Sequence, residues 1–298
     1  MNRYLFELLT FIEKRENKKF SVREISDSIK ISGTMVSKCL GEARENDLII
    51  EDDNCISITS KGLSVLEPYR VKKAIIMAAG FGSRMMPATA DSPKPMVTIN
   101  GVRIIDTLLD ALVSAGITDV TIIRGYKKEK FDELIPKYPF LKFVDNDLFN
   151  KENNISSVIK ALPYIDDCYL CEADLYISNP DIITKYQYAS NILGSYSLET
   201  DDWSFQLDEK GYIKNYQKGN RYCYNYYGIS YWTKEDSEKL RADWFDVYKT
   251  NKDVFWEEVP LILKKDNYCV EIRQCAKSDI MEIDNYYELA QLDKTYDI

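Results

Sequence analysis

The chain has 298 residues, 45% of them hydrophobic, and carries 39 Lys/Arg against 48 Asp/Glu for a net charge of −9. That length favours two domains over one, the apolar share is enough for sizeable cores, and the acidic balance argues against a broad nucleic-acid-binding surface. No histidine occurs anywhere, so His-dependent acid–base or nucleophilic chemistry is excluded, and any metal has to be held by carboxylates, which favours Mg²⁺.

No apolar run is long enough to cross a membrane, and Met1-Asn2-Arg3 leads into an amphipathic segment rather than a signal peptide, so a cytoplasmic protein is expected. Seven scattered cysteines suit a reducing compartment. Cys168 and Cys171 form the one CxxC. On a strand they point to opposite faces, so they read as core filler and not as half of a zinc site.

Residues 1–70 read as a unit of their own. Leu5, Leu8, Leu9 and Ile12 recur at helical spacing. Ser21 with Glu24 makes a capping box for a helix to Lys30. Ile31-Ser32-Gly33 is a turn, and a third helix spans 34–46. The runs 48–50 and 56–59 pair as a hairpin around the acidic turn Glu51-Asp52-Asp53-Asn54, and a closing helix covers 62–66. This order resembles the winged helix of bacterial regulators, which implies DNA recognition through Thr34, Ser37, Lys38 and Arg44. The charge disagrees: residues 1–70 hold 11 Lys/Arg against 12 Asp/Glu, and the wing tip is acidic. Phosphate contacts need clustered basic residues, so any DNA affinity is expected to be weak, and a recruited interaction module is the preferred reading. Pro68-Tyr69-Arg70 ends the unit, leaving 71–298 as the second domain.

That second domain opens on its most informative stretch. Residues 74–77 are a short apolar run with β-branched members, read as a buried parallel strand. It runs into Ala78-Ala79-Gly80-Phe81-Gly82-Ser83-Arg84 and a proline-punctuated loop closing at Pro93-Lys94-Pro95. Small residues leave backbone N–H groups free and let the backbone approach a ligand, while Arg84 and Lys94 add charge. A polyphosphate fits that combination. The Walker and dinucleotide patterns do not. The stretch resembles the signature of the sugar-nucleotide-type nucleotidyltransferases, G-x-G-x-R-(L/M)-x-P-x-T-x-x-x-P-K-P, at Gly80, Gly82, Arg84, Met85, Pro87, Thr89, Pro93, Lys94 and Pro95.

Strands and helices then alternate: a helix over 104–114, a strand over 120–123, a helix over 127–135, a strand over 141–144 and a helix from Asn153 to Leu162. The expected fold class is therefore α/β, a Rossmann-like nucleotidyltransferase three-layer sandwich with a mostly parallel sheet, preceded by the small winged helix. Asn153-Asn154-x-x-Ser157 resembles a segment that lies near the base in cytidylyltransferases for small alcohol phosphates, although an Asn/Ser helix cap explains it nearly as well. Strand 169–174 delivers Asp174 at its C-terminal end, where open α/β sheets bind ligands. The resemblance implies that Asp174 holds Mg²⁺ on the nucleotide's α-phosphate. Near the C-terminus, Glu282 and Asp284 share one face of a short strand. The resemblance makes Asp284 the second metal ligand with Glu282 in support; as an alternative, Asp284 caps the final helix.

Strands at 195–198, 203–207 and 212–217 and the aromatic-dense strand 221–232 follow, then a helix over 234–247 and the segment Asp253-Val-Phe255-Trp256-Glu257. Aromatics at this density, with Asp201, Asp202, Asp253 and Glu257 among them, fit a box for an organic cation. Residues 72–296 resemble the Lic-type bacterial CTP:phosphocholine cytidylyltransferases, which implies an acceptor pocket built from Trp203, Phe255 and Trp256, with Asp253 and Tyr231 beside them. The nucleotide would then lie on Ala78 through Arg84 with Asn154 and Ser157. The activity so implied is Mg²⁺-dependent transfer from CTP to phosphocholine. Phosphoethanolamine, 2-aminoethylphosphonate and sugar 1-phosphates remain alternative acceptors, and a ligand-sensing DNA-binding regulator is the alternative of another class.

Overall fold

The computed structural model describes residues 1–15, 18–52 and 55–296. The chain divides into two compact units, Met1–Arg70 with Tyr186–Tyr188, and Val71–Lys185 with Ala189–Ile298.

The first unit runs α1 (Arg3–Glu13), β1 (Lys18–Lys19), α2 (Val22–Ile29), α3 (Gly33–Glu45), β2 (Ile49–Asp52), β3 (Cys55–Ile58) and α4 (Ser60–Leu66). Each helix starts where a short polar side chain accepts a free backbone N–H: Asn2, Ser21, Ser32 and Thr59, with Ser21 and Glu24 closing a full capping box. The strands form an antiparallel sheet in the order β1-β3-β2, and Leu8, Leu9, Ile12, Ile25 and Leu66 are fully buried beneath it. Arg44, expected as a DNA contact, is paired with Glu51 at 2.7 Å. Asp53 and Asn54, the tip of the expected acidic turn, lie outside the described residues.

The second unit runs β4 (Lys73–Ala78), β5 (Thr98–Ile99), β6 (Val102–Arg103), α5 (Ile104–Ser114), β7 (Asp119–Arg124), β8 (Lys142–Asp145), α6 (Ile155–Ala161), β9 (Cys168–Glu172), β10 (Leu175–Ile177), β11 (Asn191–Leu207), β12 (Ile213–Trp232), α7 (Lys234–Thr250), β13 (Glu271–Gln274), β14 (Ile280–Glu282) and α8 (Tyr286–Leu292). Seven strands form one sheet in the order β13-β11-β12-β9-β4-β7-β8, with β9, β4, β7 and β8 parallel. Both faces are covered, which is why these strands read as continuous apolar runs. Neighbouring Ile75 and Ile76 enter cores on opposite faces, and so do Cys168 and Cys171. Among the described residues no helix is long and apolar enough to cross a membrane.

Two expected elements differ. The 127–135 segment is a 3₁₀ helix over Lys128–Leu134. The short strands expected between 195 and 232 are two long strands, β11 and β12, paired antiparallel with register shifts around Thr200/Trp203. Polar residues 199–202 lie on their extension, where ladder hydrogen bonds rather than an apolar pattern hold the strand, and left-handed backbone at Asn215, Gly219 and Tyr222 bends the return strand.

Candidate active site

The chemistry-bearing residues meet at the C-terminal ends of β4 and β9. Met77 pairs with Glu172 across the ladder, so the loop leaving β4 starts beside the turn Glu172-Ala173-Asp174. Gly82 has φ +61, and a Cβ there would stand 2.8 Å from the Lys94 Cβ, so glycine is needed both for the turn and for the close approach of Lys94. At Gly80 a Cβ would meet nothing within 4 Å; the open space is the cavity itself. Among the described residues the N–H groups of Gly80–Ser83 have no protein acceptor, while the Thr89 hydroxyl donates to the Gly82 carbonyl and holds the loop in shape.

The second carboxylate is brought in by a local ladder. β10 pairs with β14, Leu175 opposite Glu282, and the Ile283 N–H donates to the Asp174 carbonyl. Asp284 does not cap α8. Asn285 does, accepting from the Glu288 N–H, and the Glu288 carboxylate accepts from the Asp284 N–H at 2.7 Å, which leaves the Asp284 side chain free for the site. One oxygen each from Asp174, Glu282 and Asp284 lies within 4.8 Å of the others. Lys94, only 8% exposed, sits between two of them, with Nζ 2.8 Å from Asp174 and 3.4 Å from Asp284. Arg84 grips Asp284 with two nitrogens at 2.9 and 3.2 Å.

The electrostatics follow from this crowding. Burial works against the Lys94 charge, but the Asp174 carboxylate, with Asp284 and Glu282, outweighs it and holds the ammonium above its ordinary range. Glu282 is pushed up to about 9, by burial first and then by the charges of Asp174 and Asp284. The Asp174 Oδ1 is buried with no hydrogen-bond partner. An all-oxygen donor set with an orphaned carboxylate oxygen fits a hard divalent cation of the Mg²⁺ class.

These groups line a cavity of about 670 Å³. Of the residues expected from sequence, Ala78 through Arg84, Lys94, Asn154, Ser157, Asp174, Trp203, Phe255, Glu282 and Asp284 all face it. Asn154 and Ser157 are partly occupied with structure: the Asn154 amide oxygen accepts the Trp256 N–H at 2.8 Å, and Ser157 is held by Asn146. Three expected acceptor residues lie elsewhere. Trp256 is 1% exposed and packs edge-on against Trp244 in the core, because the segment carrying it tucks under α7. Tyr231 is buried on β12 and donates to Asp167. Asp253 is exposed and meets Asn153.

Asp202 and Glu257, expected among the acidic residues of the aromatic box, also line the cavity, which gains Glu172, Lys218 and Tyr226 besides. Glu172 was legible, since it stands two positions before Asp174 and so faces the same way. Its carboxyl is raised well above the ordinary range, by burial first and then by Glu257 and Asp174. Gly228, at φ +64, makes room for it, since a Cβ there would come within 2.7 Å of its carboxylate.

A model of the family described as nucleotidyl transferase matches residues 73–198. The 2-aminoethylphosphonate cytidylyltransferase of Lancefieldella rimae is 36% identical over 232 residues, spanning 75% of this chain and 92% of that protein. This chain belongs to the nucleotidyl transferase family. The choline-phosphate cytidylyltransferase of Haemophilus influenzae shares 28% identity with this transferase over 226 residues, 73% of this chain and 96% of the relative. The solved structure of the CTP:phosphocholine cytidylyltransferase from Streptococcus pneumoniae matches at a TM-score of 0.70 and 27% identity, covering 76% of the transferase and 99% of that chain. The family match includes the glycine loop and Asp174; Glu282 and Asp284 lie beyond it.

Proposed function

We propose that the protein transfers the cytidylyl group of CTP to a phosphate or phosphonate oxygen of a small amine-bearing acceptor, releasing pyrophosphate, with Mg²⁺ held by Asp174, Asp284 and Glu282. The observation that carries this reading is the convergence of Lys94, Asp174 and Asp284 beside a glycine loop with free N–H groups. When bound, Mg²⁺ would draw negative charge from the phosphate oxygens. The acceptor oxygen is anionic at neutral pH, so its attack on the α-phosphorus needs no general base, in keeping with a chain that has no histidine. A new P–O bond forms to the acceptor, the bond between the α-phosphorus and the bridging oxygen breaks, and its electron pair leaves with pyrophosphate. The residues supply position and charge: the amides of Gly80–Ser83 and the Arg84 guanidinium hold the terminal phosphates, and the Lys94 ammonium stands between the α-phosphate and the incoming oxygen. The choice of CTP is supported by relatives that share most of their length with this chain and are named as cytidylyltransferases.

A second reading takes phosphocholine as the acceptor; it is supported by one corner of the cavity, where Trp203 and Phe255 meet edge to face with centroids 6.1 Å apart. For the N-terminal unit, read as a winged helix, the Arg44–Glu51 pair supports an interaction module over a DNA reader. Pyrophosphate release measured with each of the four nucleoside triphosphates, beside a labelled-DNA shift assay, tests both assignments. Release confined to CTP with no shift at physiological salt is expected; release with no CTP preference, or a shift without turnover, would overturn them.

A further inference from the structure

We infer that the acceptor's amine is held as a primary ammonium by Glu257, Tyr226 and Glu172, and that this pocket rejects a trimethylammonium group. The inference rests on the cytidylyltransferase reading and names its acceptor class. Two buried polar atoms on the cavity wall lack partners. Glu257 is 4% exposed; its Oε1 accepts from the Tyr216 hydroxyl at 3.4 Å, but Oε2 pairs with nothing. The Tyr226 hydroxyl, on a residue 8% exposed, is likewise unpaired. They come from different parts of the chain, β12 and the segment after α7, and both line the same cavity. Leaving such groups orphaned is costly, so a ligand that satisfies both is strongly favoured. Glu172 completes the wall, accommodated by Gly228.

A primary ammonium carries three N–H donors and a positive charge, which matches two carboxylates and a hydroxyl able to accept. A trimethylammonium has no donor. It would leave Glu257 Oε2 and Tyr226 unpaired and would depend on aromatic faces instead. Those faces are already taken. Tyr216 stacks on Trp203 with centroids 4.8 Å apart at 14°, and Lys218 Nζ stands 5.9 Å over the Trp203 ring, a cation where choline would place its own. Trp256 is sealed in the core.

The test is steady-state pyrophosphate release by the full-length protein, with CTP and a series of acceptors: 2-aminoethylphosphonate, phosphoethanolamine, its N-methyl and N,N-dimethyl derivatives, and phosphocholine. The expected kcat/KM falls with each methyl group, by about 100-fold or more from the primary amine to phosphocholine, because a site built to hydrogen-bond rejects the analogue lacking the donor. Glu257→Gln and Tyr226→Phe, each checked for a single cooperative unfolding transition, should raise KM for the primary amine about 10-fold or more and change KM for CTP by less than about twofold. Phosphocholine equal to or better than the primary amines would overturn the inference and leave cytidylyl transfer standing. So would an unchanged acceptor KM in both variants. No pyrophosphate release with any acceptor would overturn cytidylyl transfer, and this inference with it.

Discussion

Lys94 stands where Asp174 and Asp284 would otherwise face each other across a few ångströms with no cation between them. Its ammonium therefore does two jobs in sequence. It neutralises the carboxylates of the free protein, and on the proposed function it would stand beside the arriving α-phosphate. Lys94→Ala should lower kcat by about 100-fold or more while moving KM for CTP only a few-fold, since the charge develops in the transition state. The same variant should bind Mn²⁺ at least as tightly as the parent without nucleotide, because a competing cation has been removed. Equal losses in kcat and CTP affinity would assign Lys94 to ground-state binding. Glu257 gives a test by pH. Its carboxyl is pushed from 4.5 up to about 7, by burial first, with Glu258 adding to it and the hydrogen bonds from Asn154 and Tyr216 opposing. The folded state thus holds this proton more tightly than the unfolded chain, and the stability it lends is full below pH 4.5 and lost as pH rises through about 7. Glu257→Gln cannot ionise, so its ligand-free melting temperature should rise relative to the parent between about pH 5 and about pH 8. A difference that stays constant across that range would remove the buried-acid assignment.

At the level of elements, the start of α8 governs the second carboxylate. Asn285 caps the helix, donates to the Glu288 carboxylate, and so fixes the group that accepts the Asp284 N–H. Asn285→Ala should cost about 1 kcal/mol of stability and weaken Mn²⁺ binding through Asp284; unchanged Mn²⁺ affinity would separate the cap from the site. Trp256 behaves as a core element. Trp256→Ala should lower stability by about 3–5 kcal/mol, read by denaturant melts, whereas a purely functional loss at full stability would return it to the acceptor pocket. These residues also show what was legible in the sequence. The loop and both carboxylates were, because glycine at φ +61, a carboxylate at a strand end and a loop rich in free N–H groups are each demanded by local geometry. The aromatic wall was legible only in part: Trp203 and Phe255 face the cavity, while Trp256 and Tyr231 do not. Trp203, Tyr231 and Trp256 carry the same chemistry in a linear reading, and the register shifts in β11 and β12, with left-handed residues at Asn215 and Tyr222, break the alternation that would have told inward from outward. Tyr226 was hidden for the same reason: only folding shows that its hydroxyl lacks a partner.

For the molecule as a whole, a net charge of −9 opposes the approach of a triphosphate. The cavity answers that locally with Arg84, Lys94 and Lys218, but it also carries Glu172, Asp174, Asp202, Glu257, Glu282 and Asp284. Such an acid-rich cavity binds a polyanion well only with a divalent cation between them, so turnover should vanish on chelation and return with Mg²⁺. The most direct measurement pairs Mn²⁺ binding, followed by electron paramagnetic resonance in the presence of CTP, with pyrophosphate release for Asp174→Asn and Asp284→Asn. The expected result is at least about a 10-fold loss of Mn²⁺ affinity in each variant together with about a 100-fold or greater loss of turnover. Parental Mn²⁺ affinity and parental turnover in both variants would contradict a shared cation at this sheet edge.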